Sequence, residues 1–240
     1  MLPVGDSLIE YEVQHKPVFT LLKTKLRSGQ SIRAEAGAMV YMRNITMETS
    51  AGGGLLSSLK RSVLGGESFF MNTFTCPTGE GEVGFAPPYA GDVMCLDLKN
   101  ETWFLQGGSY LCSSPELTID TKFQGLKGLV SREGLFFLKM SGTGQLFVSI
   151  FGAIEEHELV GDEFTIDTGH LVAFQEGIDY QVKTVGGLKS TVFSGEGLVA
   201  RLSGRGRFLL QTRSTGAFVD WLIPFLPKPS SGHNMNFSGD

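Results

Sequence analysis

The chain of 240 residues is poor in the patterns that build chemical sites. Its three cysteines, Cys76, Cys95 and Cys112, include no C-x-x-C pair, which excludes zinc-ribbon and thioredoxin-type motifs and argues against a disulfide framework. Free buried thiols in a reducing compartment are expected instead. The four histidines (His15, His157, His170 and His233) are scattered, and none forms the H-x-H pair of a cupin-type metal strand. Neither G-x-S-x-G nor G-x-x-x-x-G-K-[ST] occurs. Ser109, Ser194 and the Gly52-Gly-Gly segment therefore lack the order that nucleophilic catalysis or nucleotide hydrolysis requires. No cofactor is expected. No run approaches about 18 apolar residues, so no membrane-spanning helix is expected. The first residues, Met1-Leu-Pro-Val-Gly-Asp, lack the basic start and apolar run of a signal peptide, and the expectation is a cytoplasmic protein. With 20 Lys and Arg against 25 Asp and Glu, the net charge is −5. Nucleic acid is not favoured as a partner. Local basic groups do occur at Lys60-Arg61 and at Arg201, Arg205, Arg207 and Arg213.

What the chain does have is glycine and repetition. The 32 glycines show no collagen-like period, so they mark turns and bulges. Glu196-Gly-Leu followed by Ser203-Gly-Arg-Gly-Arg-Phe-Leu-Leu matches Glu133-Gly-Leu followed by Ser141-Gly-Thr-Gly-Gln-Leu-Phe-Val. A looser copy runs from Glu67-Ser-Phe-Phe to Thr78-Gly-Glu-Gly-Glu-Val-Gly-Phe. A second element, Gly29-Gln-Ser-Ile-Arg-Ala-Glu-Ala-Gly-Ala-Met-Val, resembles Gly161-Asp-Glu-Phe-Thr-Ile-Asp-Thr-Gly-His-Leu-Val. Its middle copy starts at Gly91-Asp-Val and reaches Gly107-Gly108 after an insertion. Fixed self-similarity of this kind decides architecture before local propensity does.

Short apolar runs bounded by glycine predict strands, among them Val18–Leu26, Leu135–Met140, Leu198–Leu202 and Phe208–Thr212. Ser141-Gly-Thr-Gly and Ser203-Gly-Arg-Gly are expected as hairpin turns, and Gly-Asp at 91–92 and 161–162 as loop-to-strand transitions. Helical spacing of Leu55, Leu59 and Val63 predicts a short helix or lid between Gly52 and Gly66. A second helix is expected from Thr215 to Ile223, stopped by Pro224. The fold class is therefore all-β: three pseudo-repeated units (about 8–88, 89–155 and 156–214) forming a barrel or sandwich with one or two short helices. One domain is expected over 1–222, with a Pro/Gly/Ser-rich tail over 223–240.

Candidate sites follow from the same pattern. Glu67, Glu133 and Glu196 each begin a copy, and convergence on a pseudo-threefold axis would make a cation or ligand site. Capping of each glutamate's own turn is favoured over convergence. Asp167, three residues before His170, makes a local acid–histidine pair and a candidate ligand set. Leu55, Leu56 and Leu59, and Phe218, Trp221 and Leu222, lie outside the strand framework and are candidate interface residues for a protein partner or a membrane surface. Open sheet edges make a homo-oligomer the expected assembly.

Over residues 8–214 the chain resembles the altered-inheritance-of-mitochondria-24 family. The residues that carry the likeness are Gly29–Met42, Ile45-Thr-Met-Glu-Thr, Gly52-Gly-Gly-Leu, Lys60-Arg61, Gly66–Phe74, Val83-Gly-Phe-Ala-Pro and Gly91-Asp-Val. Asp167–Phe174, Phe193–Val199 and Leu202–Arg213 continue it. Val130-Ser-Arg-Glu-Gly departs from the family, which tends to have Gly before Glu. The resemblance implies a β-rich fold similar to the tryptophan RNA-binding attenuation protein and to double-stranded β-helices, in proteins that tend to assemble. It transfers no catalytic residues. The inner-membrane role of the mitochondrial member does not carry over directly, since no transit peptide is recognised. A non-enzymatic, self-associating scaffold or binding module is the expected function. Ligand, cation or enzymatic use of the carboxylates, and RNA binding by analogy of fold, are the alternatives.

Overall fold

The computed structural model describes residues 8–51, 63–64, 67–68, 70–120, 137–184 and 198–227. Chain order begins with β1 (Glu10–Gln14), β2 (Leu21–Arg27), β3 (Ser31–Glu35), β4 (Met39–Arg43) and β5 (Thr46–Ala51). A two-stranded ladder, β6 (Val63–Leu64) with β7 (Glu67–Ser68), comes next. Then follow β8 (Phe70–Thr75), β9 (Glu80–Phe85), β10 (Gly91–Gln106), β11 (Tyr110–Ser113), β12 (Thr118–Asp120) and β13 (Phe137–Phe151). The last part contains β14 (Ile154–Asp167), a 3₁₀ turn (Thr168–His170), β15 (Leu171–Gln175), β16 (Ile178–Thr184), β17 (Leu198–Gln211) and the helix α1 (Thr215–Leu222). Residues 52–62, and with them Leu55, Leu56 and Leu59, fall outside the described residues, as do Glu133, Glu196 and the tail beyond 227.

Local pattern explains the strands. In β2, Leu22, Thr24 and Leu26 are buried while Lys25 and Arg27 point to solvent, the period-two signature of a half-buried strand. In β13, Gln145 through Ile150 are all buried, so this segment is covered on both faces. Three apolar clusters hold the structure. Leu22, Ile32, Phe74 and Phe85 anchor one, Trp103, Leu138 and Leu146 the second, and Phe174, Leu202 and Phe208 the third. Each fully buried Leu or Phe contributes about 1.5–3 kcal/mol.

All named strands pair antiparallel. Four make one sheet in the order β1-β2-β9-β4, and a larger sheet runs β14-β17-β15-β10-β13-β11-β3-β8-β5. Both are open, ending in β1 and β4 and in β14 and β5, so the described strands form no closed barrel. The pairing has an internal logic. β13 lies along β10 and meets β12 and then β11 on its other side. β17 lies along β14 and meets β16 and then β15. β8 and β9 lie along β3 and β2, and on their other sides meet β5 and β4.

Two expectations fail at the glycines. Ser141-Gly-Thr-Gly and Ser203-Gly-Arg-Gly are not hairpin turns, because β13 and β17 run straight through them. Each marks the place where the strand passes from one short neighbour to the next, opposite an irregularity at Lys99/Glu101 or Val160/Glu163. Gly142, Gly144, Gly204 and Gly206 have φ between 106° and 155°, which lets the backbone take up the offset without reversing. Gly161-Asp162 likewise lies inside β14 at its irregularity, whereas Gly91-Asp92 does open β10. The helix after Thr215 forms as expected, and its chain continues through Pro224 as a 3₁₀ turn, Ile223–Phe225.

Candidate functional site

The corner between β14 and β15 carries the acid–histidine pair. Asp167 ends β14, and its Oδ1 accepts the Gly169 N–H at 2.7 Å, capping the 3₁₀ turn. His170 Nδ1 lies 2.7 Å from the Gln211 carbonyl oxygen. A carbonyl only accepts, so Nδ1 carries a proton, and in the neutral ring Nε2 is the acceptor. Gln211 ties the corner further: its Nε2 donates to the Gly169 carbonyl at 3.0 Å, and its Oε1 accepts the Phe151 N–H at 3.0 Å. The hydrogen bonds of Asp167 and His170 thus go to backbone and not to each other. Beside them opens a cavity of about 240 Å³ lined by Glu155, Ile166, Asp167, His170, Leu210, Gln211 and Thr212. Its chemistry is that of acceptors over an apolar floor. Among the described residues no group of three or more His, Cys, Asp or Glu side chains is placed to hold a metal ion.

Of the repeated glutamates, Glu67 lies in the ladder β6–β7, and its counterparts Glu133 and Glu196 fall outside the described residues, so the expected cation or ligand site of the three lies outside them too. On α1, Phe218 is 43% and Trp221 62% exposed, while Leu222 is half-buried. Phe218 rests edge-on against Phe151 with ring centroids 5.6 Å apart, and Trp221 sits between Phe218 and Phe225. No residue of α1 is buried. No helix among the described residues is long and apolar enough to cross a membrane.

Composition gave no hint of a polar lock between β10, β14, β15 and β17. Glu101 Oε2 accepts from Trp103 Nε1 at 3.0 Å and from Gln175 Nε2 at 2.9 Å, with the Arg207 guanidinium at 3.4 Å. Arg207 also reaches Glu156 at 3.2 Å and lies over the Trp103 ring at 5.3 Å. Arg201 pairs with Glu163. Two arginines of the candidate basic group are therefore committed to carboxylates. The one sequence signal for this lock was Arg207 beside the repeated Ser203-Gly-Arg-Gly.

The family model for mitochondrial biogenesis AIM24 matches residues 11–213, nearly the whole of the described β structure. The chain belongs to the AIM24 family. It is 28% identical over 235 residues to an uncharacterized protein of Streptococcus pyogenes serotype M6, covering 94% of each chain. A solved AIM24-like structure, the X-ray structure of a Streptococcus pyogenes protein, superposes with a TM-score of 0.76 at 28% identity. That match covers 91% of this chain and all of the other.

Proposed function

We propose that this AIM24-family chain is a non-enzymatic β scaffold of three pseudo-repeated units that associates with copies of itself through its sheet edges. The observation that carries this is the pairing scheme. A long strand or strand pair, two short strands and a second long strand occur in the same order three times, within 21–85, 91–151 and 154–211. In each, the two short strands pair with the second long strand. One apolar cluster belongs mainly to each set. Such a unit is of the kind that the resemblance to the tryptophan RNA-binding attenuation protein implies, and the larger sheet, which contains strands of all three sets, supports a single domain. Among the described strands β4 and β14 are sheet edges, and self-association is a common way to satisfy the backbone groups of such edges. RNA binding fits less well, since Arg201 and Arg207 are ion-paired. The exposed rings of α1 are the natural contact for a protein partner or a membrane surface. Sedimentation equilibrium tests the proposal: a mass above that of one chain is expected, and a strictly monomeric chain at micromolar concentration overturns it.

A second reading rests on the cavity beside Asp167 and His170, which would take a small ligand rich in hydrogen-bond donors. A thermal-shift screen of small amines and alcohols tests it, with Asp167→Asn as the control. Absence of any shift, or equal shifts in the variant, removes it.

A further inference from the structure

We infer that copies of this chain join head to tail, β14 of one against β4 of the next, with Ile166 opposite Tyr41, Thr165 opposite Met42 and Phe164 opposite Arg43. The inference rests on the proposed self-association and specifies its interface. It comes from the two places where one unit already joins the next inside the chain. At the first, Ala34 and Arg33 of β3 face Cys112 and Ser113 of β11. At the second, Leu105, Phe104 and Trp103 of β10 face Ala173, Phe174 and Gln175 of β15. Each first long strand is followed by a glycine: Gly37, Gly108 and Gly169. Ala34 and Leu105 both stand three residues before that glycine, and Cys112 and Ala173 both stand four after theirs. The two junctions therefore share one register.

The same rule leaves one long strand and one short strand unmatched. Ile166 stands three residues before Gly169, on β14, whose outer side carries no strand among the described residues. Tyr41 stands four after Gly37, on β4, which among the described strands pairs only with β9, whereas β11 and β15 each have two neighbours. Among the described strands the two edges are not paired with each other, and a second copy offers each the strand that the shared register calls for. A long-strand edge meeting a short-strand edge is a heterologous contact, which extends from copy to copy until it closes.

Burial supports the register. Residues directly opposite in an antiparallel pair project to the same face. Thr165 and Met42 are both exposed, while Ile166 is buried in the third cluster and Tyr41 is half-buried. A slip of one residue would set the inward Ile166 against an outward side chain. Arg43, with its side chain 80% exposed, falls opposite Phe164 and can cover that ring.

The test is a double variant, Thr165→Cys with Met42→Cys, oxidised and run on a non-reducing gel. Both positions are exposed, so the fold is expected to survive, as far-UV circular dichroism would verify. A ladder of covalent multimers is expected. None is expected from either single variant, nor from Thr165→Cys with Tyr41→Cys, whose thiols project to opposite faces. Hydrogen exchange on the unmodified chain gives a second measurement: amides of 39–43 and 164–167 should gain protection as concentration rises. Oligomers in sedimentation without the ladder, or disulfide dimers from a single variant, overturn this interface and leave self-association standing. Monomers at every concentration overturn both.

Discussion

Gly204 has φ +106°, and a Cβ built on it would lie 2.3 Å from the Gly177 carbonyl oxygen, a backbone atom that cannot swing aside. Gly204→Ala should therefore cost about 2 kcal/mol or more, read as a lower denaturant midpoint at unchanged slope. Gly142 has φ +121° but no atom nearer than 3.6 Å, so Gly142→Ala should pay only for the dihedral, roughly 1–2 kcal/mol. Buried thiols and phenols make a second prediction. Burial pushes Cys95 up to about 12 and Cys112 well above its ordinary value. Tyr41 is also held at about 12, by burial and by its bond to Glu82, and Tyr180 by burial. Below the unfolded-state values, about 8.5 for Cys and 10 for Tyr, these groups are neutral in both states and cost nothing. As pH rises towards 12 the unfolded chain ionises first, so the stability they contribute is lost. Thermal melts should fall steadily from about pH 9 upward, and a thiol reagent at pH 8 should leave Cys112 unlabelled until urea is added.

At the scale of elements, α1 stands apart from the sheets. Its cap is regular, with the Ser214 hydroxyl accepting the Ala217 N–H at 3.2 Å, yet none of its residues is buried. A chain truncated after Ser214 should melt within about 2 °C of the full one, because surface changes of this kind stay within about 0.5 kcal/mol. A larger drop would mean that Phe218 on Phe151 holds more of the fold than its exposure implies. The helix itself was legible from Thr215-Gly-Ala-Phe-Val-Asp-Trp-Leu and the proline after it. So was β2, which lies within the run Val18–Leu26 but for its last residue, Arg27. The glycine pairs at 142–144 and 204–206 were visible too, but not their use. A turn and a bulge both need φ > 0 at glycine, and local sequence does not distinguish them. The difference lies in β10 and β14, distant strands that stay paired on either side of the offset. The Asp167–His170 corner was found by its spacing, whereas Gln211, which fixes both the tautomer of His170 and the turn, comes from β17 and left no local trace.

For the whole molecule, edge-to-edge association would link folding to concentration. The apparent melting temperature should then rise as the chain is concentrated, since a partner that binds only the folded state adds stability by mass action. A melting temperature independent of concentration over a hundredfold range would argue that the edges stay unpaired. Short apolar runs bounded by glycine determined by themselves that the chain is β-rich, because period-two burial and the glycines that interrupt it are written locally. Which strand lies beside which was decided only in the tertiary structure. Strand pairing joins residues far apart in the chain, such as Arg33 with Ser113 and Leu105 with Ala173, through backbone groups that every residue carries alike. For the same reason the position of β4 and β14 at the ends of the described sheets was decided by the tertiary structure and not by local sequence.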